Sequence, residues 1–343
     1  MKGPRHVVIM PTWVGDSIMA LASLRTALEQ DEVMLLGQAH ILELISGEFA
    51  HLLLPVEKKG IWAGAKALLK QKSHRGVLLP NSLGSAMMAL LGGVCTLTGT
   101  PRDGRGWLLS KKVNPTSEHQ AWRYREILQA GGVTVDDEPR PWVSLPKRAV
   151  ERAEELLQSR MKDHTRLLAV HAGSSKPQRC WPLERFLQVC REVAGKGWGI
   201  VILGGTGEQA LAGRMEAELG DAVVVNVPKE DLSLAEMAAL LSRCHLFLGN
   251  DSGPMHLASA VGVKTVAVFG STSPKQTGPL LPQEMKREVW SSFECSPCRE
   301  RFFQECTPVD GVAPCLNAIT VEEVLEGIRE LLNASSGRPL SAL

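Results

Sequence analysis

Residues 7–24 read VVIMPTWVGDSIMALASL: an apolar run, a short turn, then Ile18, Leu21, Leu24 and Leu28 recurring at helical spacing. That pattern is strand, loop, helix. A first loop of this kind commonly carries several glycines whose amides hold a phosphate at the helix start. Here one glycine, Gly15, is followed at once by Asp16. A carboxylate repels phosphate, which leaves two readings of Asp16. It caps the helix that follows, as aspartate often does, or it is a general base that the freedom of Gly15 helps to present.

The alternation continues outward from this unit. EVMLLG (32–37), HLLLPV (51–56), GVLLP (76–80) and VCTLTGT (94–100) are separated by helix-like segments such as 61–71. Strands alternating with helices predict a parallel sheet covered on both faces. Residues 131–146, GGVTVDDEPRPWVSLP, break the pattern with glycine, proline and acid, and so predict two domains, 1–145 and 146–343. A second series follows: RLLAV (166–170), GIVIL (199–203), AVVVNV (222–227), HLFLGN (245–250) and KTVAVFG (264–270). No sequence repeat relates the halves. The expected class is α/β, two Rossmann-like doubly wound domains with a ligand cleft between the carboxyl ends of their sheets.

The 343 residues hold 38 Lys plus Arg against 37 Asp plus Glu, a formal net charge of +1. No nucleic-acid footprint follows from that balance. MKGPRHVVIM opens the chain without a signal-peptide run, and no stretch nears the ~18 apolar residues of a membrane span. The expectation is a soluble, cytoplasmic protein whose eight cysteines are reduced thiols.

Three further loops directly follow strands. HAGSSKPQRCW (171–181) offers the hydroxyls of Ser174 and Ser175 and the cations Lys176 and Arg179. Beside a diphosphate each cation would add roughly 1.5–3 kcal/mol; in a plain loop it is solvated. GTGEQA (205–210) satisfies a dinucleotide fingerprint, yet Asn226 stands where an acid for the NAD ribose is expected, and the motif is not in the first unit of its domain. A tight turn, or Glu208 accepting from the hydroxyls of a nucleotide ribose, are the other readings. NDSGPMH (250–256) reads as a helix start, with Asp251 or Ser252 as cap and Pro254 in the first turn. The outward amides of Ser252 and Gly253 suit a diphosphate, and His256 is either a core histidine or a phosphate donor.

TWVGDSIMA, RCWP, GGTGE, GNDSGPMHLASAVGVKTVAVFGSTSP and the cysteine tract CSPC…C…C before AITVEEV together resemble the ADP-heptose lipopolysaccharide heptosyltransferases, glycosyltransferase family 9, most of all the heptosyltransferase II type. The resemblance spans nearly the whole chain. It implies a GT-B fold, two Rossmann-like domains facing across a cleft, with the nucleotide sugar in the C-terminal domain and the acceptor in the N-terminal one. It implies inverting transfer of L-glycero-D-manno-heptose from ADP-heptose to the heptosyl-Kdo2-lipid A inner core, with no cofactor required. Position by position it makes Asp16 the base, puts Ser175 and Arg179 on the donor phosphates and Glu208 on the ribose, and sets Leu232 near the adenine. Asp251, Ser252, Gly253 and His256 fall around the diphosphate and heptose. The family's Lys-Arg-Trp-Pro is here Arg179-Cys180-Trp181-Pro182, which leaves Lys176 and Arg179 as alternative phosphate cations.

Arg102, Arg105, Lys111 and Lys112 cluster in a stretch that reads as loop. They are either a solvated face or the contact to an anionic acceptor and to the cytoplasmic face of the inner membrane, as a peripheral association. Cys295, Cys298, Cys306 and Cys315 begin like a zinc site, but their later spacings fit no standard ligand pattern, so structural zinc stands beside packed thiols. The helical segment 321–332 is expected to pack back on the first domain. The competing functions are a heptosyltransferase of type I or III or another GT-B nucleotide-sugar transferase, an NAD-dependent oxidoreductase, and a nucleotide-sugar binder without catalysis.

Overall fold

The computed structural model describes residues 6–57, 60–161, 164–291, 293–298, 301–304 and 306–333. The chain divides into two units, Met1–Arg148 and Ala149–Leu343. In the first, β1 (His6–Ile9), β2 (Val33–Gln38), β3 (Leu53–Val56), β4 (Arg75–Leu78), β5 (Thr96–Gly99) and β6 (Lys111–Lys112) form one sheet in the order β3-β2-β1-β4-β5-β6. Every pairing is parallel. Every residue of β1 is buried, as a central parallel strand covered on both faces requires. Val7, Ile9, Leu36, Leu78 and Leu97 join one core, each contributing about 1.5–3 kcal/mol by its removal from water.

The second unit holds β7 (Arg166–His171), β8 (Trp198–Ile202), β9 (Val223–Asn226), β10 (Leu246–Asn250), β11 (Lys264–Phe269) and β12 (Lys286–Trp290), in the order β12-β11-β10-β7-β8-β9. Its pairings are also parallel. Counted from its own first strand, this is the same order as the first sheet. Right-handed crossovers and two-sided burial bring unrelated sequences to one solution.

Two edge strands went unforeseen. Lys111 and Lys112 pair with Thr98 and Gly99, so these two residues extend a sheet instead of a loop, and both remain exposed. Lysines on an edge strand are a usual guard against further pairing. β12, with only one apolar alternation in KREVW, is half-buried because it pairs on one side only. The helix Val321–Asn333 packs on β11, β12 and the helix Leu183–Ala194 of its own unit. The reason is its apolar face: Val324, Leu325, Ile328 and Leu331 complete the second core. Among the described residues no helix is long and apolar enough to cross a membrane.

Candidate active site

In the second unit the strand order reverses between β7 and β10. Open α/β sheets bind ligands at the carboxyl ends of strands beside such a point. The loops after β7, β8 and β10 meet there, and two buried polar residues at strand ends hold them together.

The first is Asn250, the last residue of β10, which has no exposed surface. Its side-chain amide donates to the carbonyls of Ala172 and Gly173 at 3.0 and 3.1 Å, and its Oδ1 accepts from the Trp181 amide at 2.9 Å. One side chain thereby pins both ends of the 171–181 loop. Trp181 itself is buried, its indole donating to the carbonyl of Ile319 at 3.0 Å.

The second is His171, the last residue of β7 and 3% exposed. Its Nδ1 lies 3.0 Å from Ser252 Oγ and its Nε2 lies 3.1 and 3.2 Å from the two oxygens of Glu208. A single imidazole thus joins the loop after β8 to the loop after β10. Glu208 also accepts from the Gly205 amide at 2.9 Å, so GTGEQA is a tight turn closed by its own acid. Burial pushes the Glu208 carboxyl up, but the hydrogen bond and charge of His171, with the Gly205 amide, outweigh it and hold the acid below its ordinary value. Gly173 makes room for this contact, because a Cβ there would collide with a Glu208 carboxylate oxygen. Burial, then the Glu208 charge, push the neighbouring Cys180 thiol up to about 11, so the residue at this departure from the family motif is a neutral thiol.

Ser252 occupies the N-cap position of the helix Gly253–Ala260 without a side-chain cap bond, and Pro254 lies in the first turn. Its hydroxyl faces His171 and the Asn250 carbonyl instead. The ordinary-cap reading therefore fails for Ser252. Asp251, also buried, accepts from Thr272 Oγ1 at 2.5 Å and from Thr277 Oγ1 at 3.3 Å, which fixes the entry to the helix. His256 is buried one turn in. Ser174 accepts from the Lys176 amide at 3.4 Å, Ser175 is exposed, and Lys176 Nζ stands 5.5 Å from the centre of the Phe302 ring. Arg179 ends the short turn Pro177–Arg179, half-buried. Leu232 is half-buried just ahead of the helix Leu234–Ser242. Asn226, the position tested for an NAD acid, donates to Glu216 at 2.7 Å and to the Ala212 carbonyl at 3.4 Å, inside its own helix–strand packing.

In the first unit the helix begins at Val14, with Trp13 as its N-cap, so Asp16 lies within the first turn and does not cap a helix from Ser17. Its Oδ1 accepts from the phenol of Tyr124 at 2.9 Å. Burial, and then the Asp16 carboxylate, push that phenol well above the ordinary tyrosine range. Beside this loop the carboxyl ends of β1 to β4 border a recess of about 330 Å³, lined by Ile9, Met10, Leu36, Val56, Met88 and the hydroxyls of Thr12, Ser82 and Ser85.

The cation cluster divides. Arg102, Lys111 and Lys112 are exposed, whereas Arg105 is wholly buried. Its guanidinium donates to Thr100 O at 2.9 Å, Ser85 Oγ at 3.0 Å, Thr100 Oγ1 at 3.2 Å and Ser82 O at 3.3 Å, and also to Pro80 O. Arg105 is corrected from an acceptor contact to the clamp of the loops after β4 and β5. Burial lowers its pKa.

Cys295, Cys298, Cys306 and Cys315 converge on one cavity of about 10 Å³. Among the described residues no three His, Cys, Asp or Glu side chains form a group able to hold a metal ion. Burial pushes Cys315 up to about 11, with the other three thiols adding to it.

His171, Asn250 and Tyr124 were missed as site residues. The first two carry a signal, a polar residue closing an apolar run at the end of a strand, LLAVH and LFLGN. Tyr124 carries none, since it lies 108 residues from its partner.

Lipopolysaccharide heptosyltransferase 2 of Escherichia coli K12 is 25% identical over 353 residues, covering 95% of this chain and 98% of the relative. Lipooligosaccharide heptosyltransferase 2 of Campylobacter jejuni is 25% identical over 334 residues with the same coverage. The solved structure of E. coli ADP-heptose lipopolysaccharide heptosyltransferase II matches with a TM-score of 0.78 at 21% identity, over 97% of this chain and 100% of that one. A family 9 glycosyltransferase from Veillonella parvula matches with the same score and identity, over 97% of this chain and 98% of its own. These structural matches show the GT-B fold. The family model of glycosyltransferase family 9 (heptosyltransferase) matches residues 61–306. On that match, and with two parallel Rossmann-like sheets beneath it, the chain belongs to glycosyltransferase family 9, the heptosyltransferase family, and is a glycosyltransferase enzyme.

Proposed function

We propose that this protein transfers L-glycero-D-manno-heptose from ADP-heptose to a heptosyl-Kdo2-lipid A acceptor, with inversion. The observation that carries it is the His171 junction, which ties Glu208 to Ser252 at the start of a helix beside the strand-order reversal. Glu208, at the mouth of a loop and held ionised, accepts from ribose hydroxyls with the lone-pair capacity that His171 and Gly205 leave. The amides of Ser252 and Gly253, with His256, receive the diphosphate, Asp251 sets the helix entry, and Leu232 borders the adenine. Ser174, Ser175, Lys176 and Arg179 complete the phosphate contacts from the 171–181 loop.

In this reading Asp16 of the first unit takes the proton of the acceptor hydroxyl as its oxygen bonds the anomeric carbon. The bond from that carbon to the diphosphate oxygen breaks, and ADP leaves with the electron pair. The helix dipole and the loop cations stabilise the charge that develops on ADP, so transfer needs no cofactor and no divalent metal. General-base help of this kind is worth ~10²- to 10⁴-fold. The four clustered thiols are assigned to packing.

Arg102, Lys111 and Lys112 are assigned to the anionic acceptor and to peripheral, salt-sensitive contact with the cytoplasmic face of the inner membrane. Support comes from Trp62 and Trp107 of the same unit, 76% and 75% exposed, since exposed tryptophan suits a membrane–water interface.

The test is a transfer assay with ADP-heptose and a monoheptosylated Kdo2-lipid A, reading ADP release and product mass. Preference for an acceptor that lacks heptose, or for a UDP-sugar donor, overturns the assignment. Tight ADP-heptose binding without transfer supports the binder reading in its place.

A further inference from the structure

We propose that Tyr124 is a positioning residue for Asp16, holding one carboxylate oxygen so that the carboxylate meets the acceptor hydroxyl in a single orientation. The inference rests on the reading of Asp16 as the base and goes beyond it. Tyr124 sits on the helix Gln120–Ala130, which packs against the helix Val14–Leu21 that carries Asp16. It is 5% exposed, with its hydroxyl 2.9 Å from Asp16 Oδ1. Gln120, one turn earlier, and the charge of Arg123 act on the same phenol in the opposite sense to Asp16, drawing its pKa down.

A half-buried aspartate in the first turn of a helix has several rotamers open to it. The phenol selects one, because a buried hydroxyl left without its acceptor loses a bond worth more to a charged partner than to a neutral one. The hydrogen bond donated by this phenol therefore ends on the group assigned to chemistry, with Gln120 one turn away on the same helix. Burial and the Asp16 charge both keep the phenol protonated, so it stays a donor across the neutral pH range.

The chain contains one tyrosine, so phenolate absorbance in an alkaline titration reports Tyr124 alone. The wild-type phenol is expected to ionise well above an ordinary tyrosine, and Asp16→Asn to bring it down part of the way, leaving the share due to burial. An identical titration in both proteins overturns the contact. Tyr124→Phe keeps the ring and removes the donor. It is expected to lower kcat by roughly 10- to 100-fold with KM for ADP-heptose and for acceptor unchanged, as misplacement of a reacting group does. Gln120→Ala leaves the phenol in place and is expected to lower kcat by a smaller factor, which gives a second reading should Tyr124→Phe fold poorly. In an Asp16→Ala background Tyr124→Phe is expected to cost nothing further, since the two act as one unit. A lowered melting temperature with wild-type kcat per folded molecule in these variants, or an additive loss in the double variant, overturns the proposal. If Asp16→Ala itself keeps full turnover while the titration still shows the contact, the base reading has failed and the hydrogen bond stands as structure only.

Discussion

The two sheets have one strand order, and the loops at their switch points have opposite chemistry. In the second unit, β7 and β10 end in His171 and Asn250, and their side chains weave three loops into a polar junction around Glu208 and Ser252. In the first, the ends of β1 to β4 border an uncharged recess, and the polar work falls to one helical acid, Asp16, and a tyrosine from a distant helix. A shared fold therefore positions loops without choosing what they bind. The choice follows charge: an acid, Asp16, in the first helical turn after β1 disfavours phosphate there, while a helix start without a side-chain cap bond after β10 favours it.

The comparison breaks most readily at Asp16. Asp16→Ala is expected to lower turnover at least ~10²-fold while ADP-heptose affinity, measured by calorimetry, stays near wild type. A fall in donor affinity, or turnover within a few-fold of wild type, would end the division of labour between the units. Arg105→Ala tests the recess side. Removing a buried guanidinium leaves the carbonyls of Thr100 and Ser82 unpartnered by it, and a loss of about 1–3 kcal/mol for each buried acceptor so stranded is expected in denaturant unfolding.

On the donor side Glu208→Gln is expected to weaken ADP-heptose binding roughly 10- to 100-fold, the size of a charge-assisted hydrogen bond, with a smaller change in kcat. The same variant sharpens the electrostatic account. Because the folded state holds the Glu208 carboxyl below its ordinary value, its contribution to stability is present above the unfolded carboxyl pKa and is lost as pH falls through the folded one. Glu208→Gln should therefore flatten the acid side of the stability profile, and an unchanged slope would count against the His171 contact. Smallest of all, Lys111→Ala with Lys112→Ala should leave stability within about 0.5 kcal/mol, being exposed on an edge strand. Binding to anionic vesicles is expected to fall a few-fold at low salt, and equal binding of both proteins at low salt, or binding that persists at high salt, would remove the membrane role.

Much of this was legible from residues alone. Runs such as VVIM and RLLAV are apolar on both faces, so their strands and their parallel pairing follow from burial, and the loops after them follow from chain order. The loops after β7, β8 and β10 could be picked out because glycine, proline and small hydroxyls at a strand end carry local meaning. β6 and β12 could not, since KK and KREVW hold no apolar alternation strong enough to mark an edge strand whose pairing comes from its neighbour. Arg105 illustrates the same limit. In sequence it is one cation among four, and only the convergence of the loops after β4 and β5 surrounds it with oxygen acceptors.

By itself the sequence determined the α/β class and the family pattern of loop residues, because hydrophobic period and turn chemistry act over a few residues. The tertiary structure alone decided that His171 links Glu208 to Ser252, that Tyr124 meets Asp16, and that the helix Val321–Asn333 belongs to the second core. Those contacts join segments tens of residues apart, where a hydrogen bond or a packed side chain depends on the distance between atoms and leaves no period in the chain to read.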